Sequence, residues 1–205
     1  MRQIKKRNIR LKTERFLVRT LRETDAGESL AKWLADAELM RNVNVKPQRM
    51  IKAQLARFVS SYDQATRLLL GIFAGDTEKL IGYYLIELNP AQRRCTFNVV
   101  IGDRDYWGQK VVIETRAALM DYMFAEGGMD KLIGGPLARN FPAIFNYKAQ
   151  GWKLEGIMKD HVLVADSHGR IDQYQFAMLK DDWAKLKAGG LGASGMARPE
   201  KETAS

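Results

Sequence analysis

From Glu14 to Leu21 the chain reads ERFLVRTL, with Phe16 and Val18 alternating with Arg15 and Arg19. A period of two with one apolar face predicts a half-buried strand. The period then lengthens. Leu30, Trp33 and Leu34 share one helical stripe, which predicts a helix capped by Thr24 or Asp25 and running to about Asp36. Ile51, Leu55, Phe58 and Val59 predict a second helix near residues 50–63. Three strands follow: RLLLGIFA (67–74) up to a Gly75-Asp76 turn, KLIGYYLIEL (79–88) up to Asn89-Pro90, and RCTFNVVIG (94–102). Connections this short predict an antiparallel meander.

A long helix is predicted over about 110–126, with Val112, Leu119, Met120, Met123 and Phe124 on one stripe. KLIGGP (131–136) reads as a buried strand, and a short helix at about 141–150 ends at Gly151. WKLEGIMKDHVLVA and RIDQYQFAML form two strands around DSHG, and a last helix begins near Lys180. A strand, helix, strand unit within an antiparallel context makes the sheet mixed. The fold class is therefore α/β (α+β), a mostly antiparallel sheet flanked by helices. Where strands of such a sheet diverge they leave a crevice, the usual place for a ligand.

Composition narrows this picture. At 205 residues with 46% hydrophobic content, one core and one domain are expected. That domain spans 10–188, between a basic flexible tail at 1–9 and a disordered Gly-, Ala- and Ser-rich tail at 189–205. Cys95 is the only cysteine, so no intramolecular disulfide can form, which fits a reducing compartment. MRQIKKRNIRLK has no apolar segment behind it, unlike a secretory signal, and no apolar run is long enough for a bilayer. A cytoplasmic protein with no membrane partner is expected. The net charge of +9 suits an anionic partner or a solvated basic surface. No basic stretch is interleaved with aromatics, so nucleic acid is not expected beyond ribosome proximity, while a phosphorylated cofactor stays open. Two histidines and one cysteine, far apart, supply no metal site.

In order and spacing, LKTERFLVRTLRETDA, LIGYYLIEL, YWGQ, ARNFPAIFNYKAQGWKLEGIMKDHVL and DDW resemble the GNAT acyltransferases of the ribosomal-protein N-terminal acetyltransferase type, over about residues 10–187. The resemblance implies a GNAT-like sheet with acyl-CoA lying between the FNVVIG and KLIGG strands. It implies acetyl-CoA, or another acyl-CoA, as co-substrate and no metal. The acceptor would be a primary amine, on a protein N-terminus or a small molecule, and the protein a monomer or homodimer.

Residue by residue, the family's pyrophosphate loop, Gln/Arg-x-x-Gly-x-Gly/Ala, falls on Trp107 to Val112, making Gly108, Gln109, Lys110, Val111 and Val112 cofactor-binding. Such a loop aims backbone N–H groups at an anion from a helix N-terminus. Lys110 stands where the family has glycine. Either the amides still bind pyrophosphate while the ammonium swings out or adds charge, or the side chain blocks the cradle. Val99, Val100 and Ile101 match the strand whose backbone pairs with the pantetheine arm. Asn140 can cap its helix or hold that arm, and the serine three residues later is Ala143 here. Tyr147 matches the tyrosine that protonates the departing thiolate, although an amphipathic helix also places tyrosines for packing alone. Glu87 is the first choice of general base, ahead of Asp103, Asp160 and His161; Asn98 could orient a water, and His168 reads as exposed in a turn. The alternative is a degenerate GNAT domain with weakened cofactor binding that serves as a binding or scaffolding module.

Overall fold

The computed structural model describes residues 6–75, 77–165 and 169–189. At its centre lies an eight-stranded sheet in the order β1-β2-β3-β4-β5-β6-β8-β7. Its strands are β1 (Arg10–Lys12), β2 (Phe16–Thr20), β3 (Arg67–Ala74), β4 (Leu80–Asn89), β5 (Arg94–Ile101), β6 (Lys131–Gly134), β7 (Lys153–Leu163) and β8 (Arg170–Leu179). All neighbours are antiparallel except β5 and β6. That parallel pair is joined by the long crossover helix α4 (Val111–Ala125), since a parallel return must pass over the sheet. The other helices are α1 (Glu28–Ala35), α2 (Ala37–Asn42), α3 (Lys52–Ser60), α5 (Phe141–Ala149) and α6 (Lys180–Ala188).

Alternation along the strands sorts the core into two layers. Leu17, Leu69, Phe73, Tyr83 and Val100 pack with Leu30, Trp33 and Leu34 of α1 and Leu55 of α3. On the other face Val18, Leu70, Tyr84, Ile86 and Phe97 lie under Leu119, Met120 and Met123 of α4, with Trp183 of α6. Helices cover both sides of β3, which is why RLLLGIFA reads as an unbroken apolar run.

Local readings are corrected at two places. The basic tail expected over 1–9 gives way to ordered structure before residue 10. Ile9 is buried, donates its N–H to Thr20 Oγ1 at 2.9 Å and accepts from the Thr20 N–H at 2.9 Å. One apolar residue in a basic run carries no period, so neither Ile9 nor the three-residue β1 shows in the pattern. The helix expected from Thr24 or Asp25 to Asp36 is divided. Asp25 pairs with Arg19 and accepts from the Arg22 N–H, closing a short 3-10 turn at Glu23–Asp25. Asp36 then accepts from the N–H groups of Glu38 and Leu39, ending α1 and capping α2. Residues 1–5, Asp76, 166–168 (most of the expected DSHG turn, with His168) and 190–205 lie outside the described residues, so the expected C-terminal tail is represented only by Gly189, whose N–H donates to Lys185 at 2.9 Å.

Candidate active site

β5 and β6 pair only where Arg94, Cys95 and Thr96 meet Lys131, Leu132 and Ile133. Beyond that, β5 continues to Ile101 while β6 ends at Gly134, and the chain bends away to a single bridge between Leu137 and Gln173. The strands thus open a V whose sides are residues 97–101 and 134–140.

Tyr147 of α5 fills the apex. Its hydroxyl donates to the Phe97 carbonyl at 3.3 Å. The ring stacks on Phe176 with centroids 5.2 Å apart and meets Trp152 edge-on at 4.9 Å. A side chain on Gly134 would run into the same ring, so the strand needs glycine there to admit a tyrosine. Burial pushes the Tyr147 phenol up from its ordinary value, opposed by the guanidinium of Arg116. The group is a proton donor at neutral pH.

The open edge of β5 supplies main-chain partners. The carbonyls of Phe97 and Ile101 both turn to this edge, one taken by Tyr147 and the other by the Trp107 indole at 2.9 Å. Strand alternation turns the main chain of Val99 the same way and that of Val100 toward β4, where it lies opposite Tyr83. Of the three expected residues, Val99 therefore offers its amide and carbonyl to the crevice, while Val100 is committed to the sheet and to the α1–α3 layer.

The turn before α4 has the shape of an anion cradle. Gly108 sits at φ +74° with open space where a side chain would stand, and Lys110 at φ +60° is also left-handed. That conformation favours glycine, and a lysine there costs about 1–2 kcal/mol. The Lys110 side chain is exposed, so the turn keeps its shape without being filled. The first helical bond runs from the Glu114 N–H to the Lys110 carbonyl at 3.1 Å. The N–H groups of Val111, Val112 and Ile113 consequently have no acceptor within the helix. Gln109 lies beside them, its carbonyl accepting from Arg15 at 2.9 Å and its side chain donating to Asp105. A cleft of about 640 Å³ adjoins the turn at Gln109, lined by Arg10, Lys12 and Arg15 and by Glu14 and Glu78. The donors and the shape of the turn suit a pyrophosphate.

Glu114 holds this helix end in place. It accepts from Thr13 Oγ1 at 2.7 Å and from the Arg15 N–H at 2.9 Å, and pairs with the Arg15 guanidinium at 2.7 Å. Burial works against its charge, but these bonds hold the carboxyl below the usual carboxylate range.

Asn140 caps α5 by accepting from the Ala143 N–H at 3.2 Å, and its amide donates to the Asn42 carbonyl at 3.2 Å. Next to it, Arg139 donates to the Arg41 carbonyl at 2.6 Å. Asn44 accepts from the Ala165 N–H and donates to the Leu163 carbonyl. The segment after α2 thus reaches across the mouth of the V to the β7–β8 hairpin.

Glu87 lies on the opposite face of the sheet from Tyr147. It is exposed on β4, in register with Thr96 of β5, and shares its face with Asn98 as a diagonal neighbour. Asp103 pairs with Lys79 at 2.6 Å. Asp160 and His161 belong to an irregular stretch of β7 whose carbonyls accept from Arg170, and Asp160 donates its N–H to Asp172. Asp103 is thus engaged through its side chain, and Asp160 and His161 through their main chain. Arg116, Gly134 and Gln150 were not expected at the apex. Arg116 had a visible signal, since it is a cation on the apolar stripe of Val112, Leu119 and Met123.

Among the described residues no group of three or more His, Cys, Asp or Glu could hold a metal, and no helix is long and apolar enough to cross a membrane.

Comparison with known proteins agrees with this geometry. The chain is 25% identical over 183 residues to an uncharacterized N-acetyltransferase, p20, of Bacillus licheniformis, covering 85% of this chain and 98% of that one. Its fold is similar to that of spermidine N-acetyltransferase from Vibrio cholerae, solved with CoA and spermine, with a TM-score of 0.74 at 16% identity over 84% of this chain and 99% of that one. It is also similar to ribosomal-protein-S5-alanine acetyltransferase from Vibrio fischeri, with a TM-score of 0.69 at 17% identity over 86% and 99% of the two chains. The family model for the acetyltransferase (GNAT) domain matches residues 15–151, and the chain belongs to the GNAT acetyltransferases.

Proposed function

We propose that this acetyltransferase moves the acetyl group of acetyl-CoA to a primary amine by direct attack, with Tyr147 as the general acid. The observation that carries the reading is a protonated phenol fixed at the apex of an open V, beside an unpaired edge of β5. The amides of Val111, Val112 and Ile113 would hold the pyrophosphate, and the main chain of Val99 the pantetheine arm. The two are aligned by the sheet, so that binding energy along the arm positions the thioester at Tyr147. Glu87 and Asn98, on the other face, would receive the amine and lead its proton to water.

The acceptor is read from the mouth of the V. The charged residues among 41–50 are Arg41, Lys46 and Arg49, all cations, and Arg139 faces them. A polyamine would approach against this charge. A protein N-terminus, with one amine and neutral or acidic residues behind it, suits the site better and supports the ribosomal-protein branch of the family.

Thiol release from acetyl-CoA, measured with an Ala- or Ser-initiated peptide and with spermidine, tests both parts. Faster release with the peptide is expected, and faster release with spermidine would reject the acceptor assignment. Glu87→Gln should lower kcat on the order of 10²-fold at unchanged acetyl-CoA affinity. The second reading, a GNAT fold retained as a binding module, rests on Lys110 and Ala143 departing together from the family pattern. Turnover with any of these amines excludes it.

A further inference from the structure

Arg116 is a cation where the packing calls for an apolar residue. It is 1% exposed, on the face of α4 that carries Leu119 and Met123. Its Nε donates to Gln150 Oε1 at 2.5 Å and its Nη2 to the Asn146 carbonyl at 2.7 Å. The guanidinium carbon stands 4.2 Å from the centroid of Tyr147 and 5.3 Å from that of Trp152. Among the described residues no carboxylate pairs with it. A buried charge without a counter-ion costs several kcal/mol, of which two neutral acceptors and two ring faces return only a part. Stability alone therefore favours an apolar side chain at this position.

The charge gains a use when a neighbour becomes negative. Tyr147 is that neighbour if it acts as the acid, because a phenolate then forms where burial opposes ionisation. β4 brings Tyr84, whose hydroxyl bonds to Thr115 and which burial keeps protonated. β5 brings the Phe97 carbonyl, β6 brings Gly134, the start of the β7 arm brings Trp152, and β8 brings Phe176. Among the described residues, only Arg116, from α4, carries a positive charge at this ring.

The geometry points to Arg116 as a positioning residue that supplies the counter-charge for a Tyr147 phenolate. The inference rests on the acid role given to Tyr147 above. In the step concerned, the amine nitrogen bonds to the acyl carbon and loses a proton to water. The carbon–sulfur bond breaks with its electron pair on sulfur, the phenolic proton passes to that sulfur, and water returns a proton to the phenolate. Arg116 stabilises the charge between the last two transfers. Gln150 orients the guanidinium without neutralising it, which a carboxylate in its place would do.

The test compares Tyr147→Phe, Arg116→Met, Gln150→Glu and the two double variants containing Tyr147→Phe, using acetyl-CoA and an Ala-initiated peptide. Gln150→Glu keeps the side-chain shape and quenches the charge, but it also loses the Nε2 bond to the Ile113 carbonyl at 2.8 Å, so only a loss that is absent on the Tyr147→Phe background reports the charge. Tyr147→Phe should lower kcat by on the order of 10²-fold or more, and Arg116→Met and Gln150→Glu each by on the order of 10–10²-fold, while calorimetric affinity for acetyl-CoA stays within about twofold. The double variants should be no slower than Tyr147→Phe, because the cation acts through that phenol. Arg116→Lys, which keeps a charge, should recover part of the rate. Losses that multiply in the double variants, or an unchanged kcat in Gln150→Glu, would make Arg116 a packing residue and overturn the inference. If Arg116→Met does not fold, Gln150→Glu alone decides. Full activity in Tyr147→Phe would instead overturn the acid role itself, so the two failures are separable.

Discussion

Lys110 shows how much of a motif lies in its backbone. The family's glycine marks a position where φ is positive, and Lys110 adopts φ +60° there, with its side chain outside the turn. Lys110 is therefore strained in the backbone, with an exposed side chain. Lys110→Gly should raise folding stability by about 1 kcal/mol, read as a higher midpoint in urea. It should also weaken acetyl-CoA binding by roughly two- to tenfold at low salt, because the exposed ammonium adds positive charge beside the amides. A gain in affinity would show that the side chain blocks the cradle. At this scale the sequence was readable where a side chain does its work alone, as with Asn140 as a helix cap. It was unreadable where the work is shared. Gly134 matters only because Tyr147 arrives from another element, and no spacing along the chain links the two. Gly134→Ala should cost about 1–3 kcal/mol through overpacking and lower kcat by displacing the phenol.

Among the elements, α4 connects the fold to the site. Glu114 ties its first turn to Thr13 and Arg15, just before β2. Because Glu114 has a lower pKa folded than unfolded, its contribution is present above the unfolded carboxylate range and is lost as pH falls. Glu114→Gln should accordingly destabilise the protein by about 1–3 kcal/mol at pH 7, with a smaller difference below about pH 4, as followed by thermal melts. An equal difference at both pH values would contradict this role. Element order and the mixed sheet were legible because long apolar periods dominate them. The end of α1 at Asp36 was legible too, but the six-residue α2 that Asp36 caps was not, since it is too short to show a period. The short β1 has too few residues to show any period.

For the whole molecule, the eight-stranded sheet parts between β5 and β6 and places different chemistry on its two faces. Arg116 of α4 and Tyr147 of α5 lie on one side, while Glu87 and Asn98 lie on the α1–α3 side. On the proposed reading, an acid on one face and a proton acceptor on the other would suit two reactants that enter from opposite sides. The most direct test is the rate of thiol release from acetyl-CoA with an Ala-initiated peptide, for the native chain and for Tyr147→Phe at equal acetyl-CoA affinity. Turnover by the native chain that falls on the order of 10²-fold or more in the variant is the result expected of a general acid at this apex. Equal turnover by the two proteins would contradict it.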